Sequence, residues 1–342
     1  MKITCRIRDK KGDVIGFTTL TNSGLVKNIS FASARDLILC GTITNAVYVS
    51  GKTGNYIRAK RGKFKDKVSY ALLKPFIIKE DYTSIISTTS KGNQIKWNMG
   101  GYWWKIDKHG YEGLAEELAS LVLSHIKGID YTFYNSCVIN SGGDLHFGCI
   151  SKDFLSAGEQ HITFANKLFS WQHEDIIKKR FGYLSTMERA EFTIRAIENL
   201  TGLNTLQYVA DCIFLDSIIL NEDRHLSNLG LIEDSKHNWR TVPIYDNGLS
   251  LLSDLSAYDI DSGSLYKLTH RVKSKPFNRN FKKQVIALRE LGGKPLNIDI
   301  DKLVKDINGY TNMLYDCKFV KRALEVLLIR LKEMEGLAWE RG

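Results

Sequence analysis

The period of apolar and polar positions changes several times along this chain. Residues 2–9 and 14–20 alternate loosely around the polar turn DKKGD, which is the two-residue period of a β-hairpin. Phe31, Ala34, Leu37 and Ile38 give residues 30–40 helical spacing, and residues 42–49 and 55–59 return to strand-like sequence. Residues 1–75 therefore read as a small ββαββ domain. Residues 102–106 (YWWKI) predict an apolar strand carrying one cation, Lys105. The segment YEGLAEELASLVLSHI predicts a helix that packs through Leu114, Leu118, Leu121, Val122 and Ile126. With strand-like residues 131–140 and 145–151, this makes a β-rich unit over 76–155. Beyond it the period is helical at 188–200, 206–221, 282–291, 299–308 and 318–335. The second of these has a stripe of Leu206, Val209, Ala210, Ile213, Phe214 and Ile218. In the last, the 4-3-4-3 spacing of Val320, Leu324, Leu327, Leu331 and Met334 predicts core packing in preference to a dimer seam. The fold class expected is α+β: a small α/β leading domain, a β-rich lobe, and a helical lobe over 156–342.

Composition narrows the class without choosing a function. The 342 residues are 43% hydrophobic and 25% charged, an ordinary globular balance with room for a sizeable core. No apolar run reaches the length of a membrane span, and Met1-Lys2-Ile3 opens directly into strand-like sequence, so neither membrane insertion nor a signal peptide is expected. Six cysteines without any C-x-x-C pair read as small buried hydrophobes of a reducing cytoplasm. The net charge of +10 favours anionic partners. The densest basic run, residues 58–67, has only Phe64 interleaved, so it reads as a solvated linker and direct nucleic-acid binding is not expected.

The chemistry concentrates after the 206–221 helix. Asp223, His225 and Asn228 fall within six residues, and a second carboxylate, Asp246, ends the apolar run 242–245. Between them, residues 228–233 and 239–245 read as two short strands joined by the turn DSKHN, a hairpin that would bring Asn228 and Asp246 to one place. Phosphoryl transfer needs these parts: a carboxylate to orient the attacking hydroxyl and take its proton, and an amide oxygen with a carboxylate to hold Mg²⁺ on the phosphates. It also needs a loop over the phosphates, a lysine on the next strand and a helical glutamate for that lysine. The hydroxyl-rich loop 84–96 with Gly92, then Lys105, then Glu112 supply candidates in that order, with Glu116 one turn further on. Asp211 and Asp216 sit among apolar neighbours and are expected at solvent-facing or capping positions, a structural ion pair being the second reading. Residues 249–281 lack a period and stand where a substrate shelf would be; Arg271, Lys273, Lys275 and Arg279 there could meet an acidic peptide or a phosphorylated loop.

The composite D-R-H-x-x-N, strand, turn, apolar strand, D-N-G resembles the catalytic and metal-binding loops of HipA-like kinases, and more distantly those of phosphatidylinositol 3- and 4-kinases. Residues 92–96 (GNQIK) match that family's G-x-Q-x-K. The resemblance covers about residues 80–340 and implies a two-lobed protein-kinase-like fold acting as an ATP- and Mg²⁺-dependent serine/threonine kinase on a protein substrate. It implies Asp223 as catalytic base, His225 as its support, Asn228 and Asp246 as metal ligands, and Gly92, Gln94, Lys105 and Glu112 around the phosphates. Adenine would lie against the backbone near Ile150, Ser151, Lys152 and Phe154. A loop serine is autophosphorylated in the family, which points to Ser84, Ser87, Thr89 and Ser90, with Thr89 at the aligned position. Many members are toxins held by an antitoxin partner and some are secreted effectors, so an antitoxin-like partner is implied; the leading domain resembles one found on bacterial and phage proteins. Three features depart from the pattern. The leading domain does not match the family's own N-terminal region, the loop has one glycine where ordinary kinases have three, and Asn247 stands where many kinases have phenylalanine. A lipid or small-molecule kinase would share the same loops; an ATP-binding pseudokinase module is the further alternative, although pseudokinases normally lack one of Asp223, Asn228, Asp246 or Lys105, all of which are present.

Overall fold

The computed structural model describes residues 3–8, 14–20, 26–29, 46–47, 58–60, 67–69, 71–72, 76–78, 94–99, 101–141, 144–260, 263–310, 312 and 314–342. In the leading region β1 (Ile3–Arg8), β2 (Val14–Leu20), β3 (Val26–Ile29), β4 (Ala46–Val47), β5 (Arg58–Lys60), β6 (Lys67–Ser69) and β7 (Ala71–Leu72) are strands. β1 and β2 pair antiparallel, as the alternation around DKKGD predicts. The helix expected at 30–40 lies outside the described residues.

The β-rich lobe is a sheet of order β8-β11-β12-β10-β9. Its strands are β8 (Phe76–Ile78), β9 (Lys96–Met99), β10 (Tyr102–Ile106), β11 (Tyr134–Ser141) and β12 (Asp144–Lys152). One helix, Glu112–Leu123, packs on it through Leu114, Leu118 and Val122, all fully buried. Two glycines allow the close approach. A Cβ at Gly148 on β12 would stand 1.9 Å from the Lys105 carbonyl oxygen, and one at Gly113 in the first helical turn would stand 2.5 Å from the Gly148 carbonyl oxygen. Only hydrogen at these two positions lets β12 sit against the strand that carries Lys105 and lets the helix sit against β12.

The helical lobe is built on Leu206–Ile219, of which every residue from Cys212 onward is buried. Around it stand Thr186–Thr201, Phe281–Glu290 and Cys317–Met334, together with Phe164–Trp171, Glu174–Tyr183, Leu265–Thr269 and Ile300–Gly309. Val320, Leu327, Leu331 and Met334 are buried and Leu324 packs against the same core, so the last helix serves the core as its spacing predicts. No helix among the described residues is long and apolar enough to cross a membrane. Cys137, Cys149 and Cys212 are buried, whereas Cys317 is exposed at a helix start, against the expectation of burial. A three-stranded sheet of β13 (Gln160–Thr163), β14 (Gly230–Glu233) and β15 (Trp239–Thr241) faces the seam between the lobes. The hairpin β14–β15 is present, but its second strand ends at Thr241, short of the expected Tyr245. Ile244 instead bridges to Tyr131 of the β-rich lobe. A further parallel pair, β16 (Leu296–Ile298) and β17 (Trp339–Arg341), ties the chain end to the helical lobe.

Gly148→Ala should destabilise the protein by about 1–3 kcal/mol, the usual cost of overpacking, and should do so by pushing β12 away from β10. Urea unfolding of this variant beside an alanine change at the open Gly182, which no atom crowds, separates the steric effect from simple loss of glycine.

Candidate active site

The rigid floor of the site is the end of the Leu206–Ile219 helix. Leu220 stops that helix in the left-handed region at φ 56° and turns the chain into the loop 221–228. Arg224, fully buried, then binds across three segments. Its Nε lies 3.0 Å from Asp216 Oδ2 on the helix, Nη1 donates to the carbonyl oxygens of Asn228 (3.1 Å) and Tyr245 (2.8 Å), and Nη2 donates to Asn247 Oδ1 (2.6 Å). Asp216 is thus the buried partner of an arginine, the structural ion pair that is the second reading of the sequence; the solvent-facing position is wrong, because a carboxylate facing the core is stable there only when paired. Asp211 is half-buried and accepts from the Gln207 side chain, and burial pushes its carboxyl up to about 6.

On this base the loop presents its polar groups. Asn228 Nδ2 donates to the Asp223 carbonyl at 2.9 Å, which leaves Oδ1 as the acceptor the side chain can offer a cation. Asp223 is held by its backbone N–H on Asn221 Oδ1 at 3.0 Å. Its Oδ1 lies 2.8 Å from Lys275 Nζ, a partner from the segment that showed no sequence period, and its Oδ2 lies 3.7 Å from His225 Nε2. Burial lowers the His225 imidazole below its ordinary value, and Asp223 opposes that only in part. Its Nδ1 is buried and has no partner among the described residues.

From the other lobe, Lys105 Nζ lies 2.7 Å from Asp246 Oδ1 and 2.9 Å from Glu116 Oε1. The helical partner of Lys105 is Glu116, not the aligned Glu112. Glu112 accepts backbone N–H groups of Lys108 (3.0 Å), His109 (2.6 Å) and Gly110 (2.9 Å), so its carboxylate is spent on shaping the loop before its helix. Glu116 also accepts the Asn247 N–H at 2.9 Å, tying the lysine pair to the same loop that Arg224 holds. Burial alone would lower Lys105, but Asp246 and Glu116 more than reverse it and hold the ammonium well above its usual range. Burial likewise pushes Asp246 up, and Lys105 followed by Lys96 overcomes it, so this carboxyl sits well below the carboxylate range. Glu116 keeps a raised value because its burial outweighs Lys105. Asp246 has φ 61°, a conformation that aspartate tolerates better than most residues.

These groups border two adjoining cavities. One, of about 450 Å³, has Trp103, Phe154, His161 and Tyr245 on its apolar side and Lys96, Lys105, Asn228 and Asp246 at its polar end. The other, of about 70 Å³, brings Gln94, Lys96, Glu112, Asp223, Asn228 and Asp246 together. Of the residues expected near adenine, Ser151 and Phe154 line the larger cavity. Ile150 and Lys152 do not, since side chains alternate along β12: Ile150 packs on Trp97 and Trp104 inside the sheet, and Lys152 is exposed. Gly92, Ser84, Ser87, Thr89 and Ser90 lie outside the described residues. Sequence reasoning passed over Lys96 as a site residue and, of the aromatic cluster, expected only Phe154, missing Trp103, His161 and Tyr245. His161 comes from β13, and its ring centroid is 5.5–5.6 Å from those of Phe154 and Tyr245. Burial pushes its imidazole down to about 4, so it is neutral at pH 7.

No family model and no curated protein matches this sequence. Among solved structures, the chain is similar to the Helicobacter pylori proinflammatory kinase CtkA, with a TM-score of 0.50 at 15% identity over 76% of this chain and 95% of that one. The chain has a kinase-like fold. A looser likeness, to a choline/ethanolamine kinase family protein from Mesorhizobium loti, has a TM-score of 0.23 at 11% identity over 75% of this chain and 90% of the other. That superposition is too poor to support any inference. The two-lobed α+β fold expected from the sequence is therefore the one found, and Lys105, Asn228 and Asp246 converge at the seam between its lobes.

Two outcomes follow from the geometry. Arg224→Met should cost about 3–5 kcal/mol in urea unfolding, because it strands the Asp216 carboxylate in the core, and Asp216→Leu with Arg224→Met should recover part of that loss. For His161 the sign is set by its folded value of about 4 against an ordinary 6.5. Its contribution is fully present above pH 6.5 and is lost as pH falls towards 4, because the unfolded chain takes up the proton first. Across that window wild type should lose about 2 °C of Tm per pH unit more than His161→Phe in thermal melts.

Proposed function

We propose that this protein is an ATP- and Mg²⁺-dependent serine/threonine protein kinase. The observation that carries the reading is the shared small cavity, where Asp223, Asn228 and Asp246 meet at the cationic end of an aromatic pocket. ATP fits that polarity in one direction: adenine among Phe154, His161, Tyr245 and Trp103, phosphates towards Lys96 and Lys105. The donor set suits Mg²⁺, which binds through one or two protein oxygens and takes its other ligands from water and phosphate. A carboxylate held ionised and an amide oxygen meet that need, and no cluster of three or more His, Cys, Asp or Glu ligands exists among the described residues. Asn228 and Asp246 would hold the ion, which supplies charge neutralisation on the phosphates when bound.

Asp223 orients the acceptor hydroxyl and takes its proton as the hydroxyl oxygen bonds to the γ-phosphorus and the bond to ADP breaks. Lys275, paired with Asp223, places a cation next to the point where charge builds on the transferred group. Lys105 holds Asp246 in place and offers its charge to the phosphates. The choice of serine or threonine in a protein, over a lipid or small molecule, is supported by the D-R-H-x-x-N and G-x-Q-x-K resemblance to HipA-like kinases. The same resemblance supports autophosphorylation within residues 84–90, with Thr89 or Ser90 as acceptor.

Incubation with γ-labelled ATP, Mg²⁺ and serine peptides, followed by peptide mapping, tests the reading. Asp223→Asn and Asp246→Asn should each fold and lose about 10²-fold or more in transfer rate, and only the second should greatly weaken Mg²⁺-dependent nucleotide binding. Lys105→Met should cost about 1.5–3 kcal/mol in ATP affinity by calorimetry. Wild-type rates from either aspartate variant would remove the assignment.

A further inference from the structure

A further cavity, of about 810 Å³, shares no lining residue with the two cavities at the seam between the lobes. It is lined by Arg271, Lys273, Arg279, Lys282, Arg330 and, next in sequence to Asp223, Glu222. We propose that this cavity binds an acidic segment of the protein substrate, with Asp or Glu side chains a few residues from the acceptor hydroxyl; this rests on the kinase reading above.

Three observations carry it. The first is charge. Between Lys267 and Lys283 the chain has seven Lys or Arg residues and no Asp or Glu. Arg271, Lys273, Arg279 and Lys282 are exposed, and no carboxylate among the described residues pairs with them, unlike the surface cations Lys178, Arg195 and Arg240, each of which has one. Glu222, the acid on the wall, accepts from the Tyr258 hydroxyl at 2.7 Å, and so is already engaged.

The second is rigidity, which separates a built groove from a solvated loop. Gln284, buried at the start of the Phe281–Glu290 helix, accepts the Phe277 N–H at 3.0 Å and donates to the Lys275 carbonyl at 3.0 Å. Ser274 donates from its backbone to the Arg279 carbonyl at 3.0 Å and from its hydroxyl to the Asn278 carbonyl at 2.8 Å. Phe277 is fully buried beneath them. The cations therefore project from a fixed frame, and little backbone entropy remains to be lost on binding.

The third is position. Glu222 precedes Asp223, and Lys275, in the middle of the basic stretch, touches Asp223 itself. An extended peptide advances about 3.3 Å per residue, so a chain whose hydroxyl sits at Asp223 would lay its next few side chains along this wall. A nucleic acid would find the same charges but would bring no serine to the base.

The test reads binding without ATP. Fluorescent serine peptides flanked by Glu, Ala or Lys are titrated into the full chain by polarisation at low salt, with a single-stranded oligonucleotide as competitor. The Glu-flanked peptide should bind about tenfold tighter than the Ala-flanked one, and the difference should shrink as salt rises. Arg271→Glu with Arg279→Glu should reverse the preference towards the Lys-flanked peptide while leaving Mg·ATP affinity at the wild-type value. Equal affinity for Glu and Ala peptides, an unreversed preference in the variant, or tight oligonucleotide binding without the peptide preference would overturn the proposal. The intended preference without any phosphoryl transfer would count against the kinase reading and not against the groove.

Discussion

The site depends on one buried guanidinium. Arg224 sits between two loops and binds a carbonyl from each, those of Asn228 and Tyr245, while Asp216 on the core helix neutralises its charge. A buried ion pair is a weak source of net stability, since desolvating both charges costs about what their attraction returns. Its effect here is positional. With five fixed donors, the arginine accepts only one arrangement of Asn228, Tyr245 and Asn247, and that arrangement sets the spacing between the Asn228 amide and the Asp246 carboxylate. Asn247, where many kinases carry phenylalanine, is occupied as one of the four acceptors.

The second determinant is the balance of charge at the seam between the lobes. Lys105 meets two carboxylates, and Lys96 stands nearby with its ammonium pushed down by burial, opposed by Asp246. Such a cluster is costly to bury in isolation. In the proposed reading, phosphates would bring an anion to the partly buried ammonium of Lys96, and a divalent cation would share Asp246 with Lys105. Glu116, bonded to both Lys105 and the Asn247 backbone, makes the lysine's position conditional on the loop that Arg224 fixes.

Much of this was legible in the sequence, and the limits have physical reasons. The strand with Lys105, the helix after it, the core helix ending near Asn221 and the β14–β15 hairpin all show clear periods, and all form. Glu112 and Glu116 share a helical face, so period cannot choose between them; the choice falls to three backbone N–H groups of a tight turn that Glu112 satisfies. Asp216 looked misplaced because its partner's role is invisible until four separate acceptors meet around Arg224. Beyond Phe154 the aromatic pocket was missed because its members come from a linker, a short strand and the stretch after β15, without a shared period. β13 and the helices from Phe164 to Tyr183 were passed over for similar reasons, being short and mixed in polarity. Lys275 reaches Asp223 from a segment whose shape is set by Gln284, and no local pattern announces such a contact.

The central claim is that the two adjoining cavities form a single Mg·ATP site governed by the Arg224 network. Hydrogen–deuterium exchange with and without Mg·ATP tests it directly. The account predicts slowed exchange in β10, at the end of β12, and in residues 223–228 and 246–248 together, with the β14–β15 turn unaffected. Protection confined to one lobe, or none at saturating nucleotide, would contradict it.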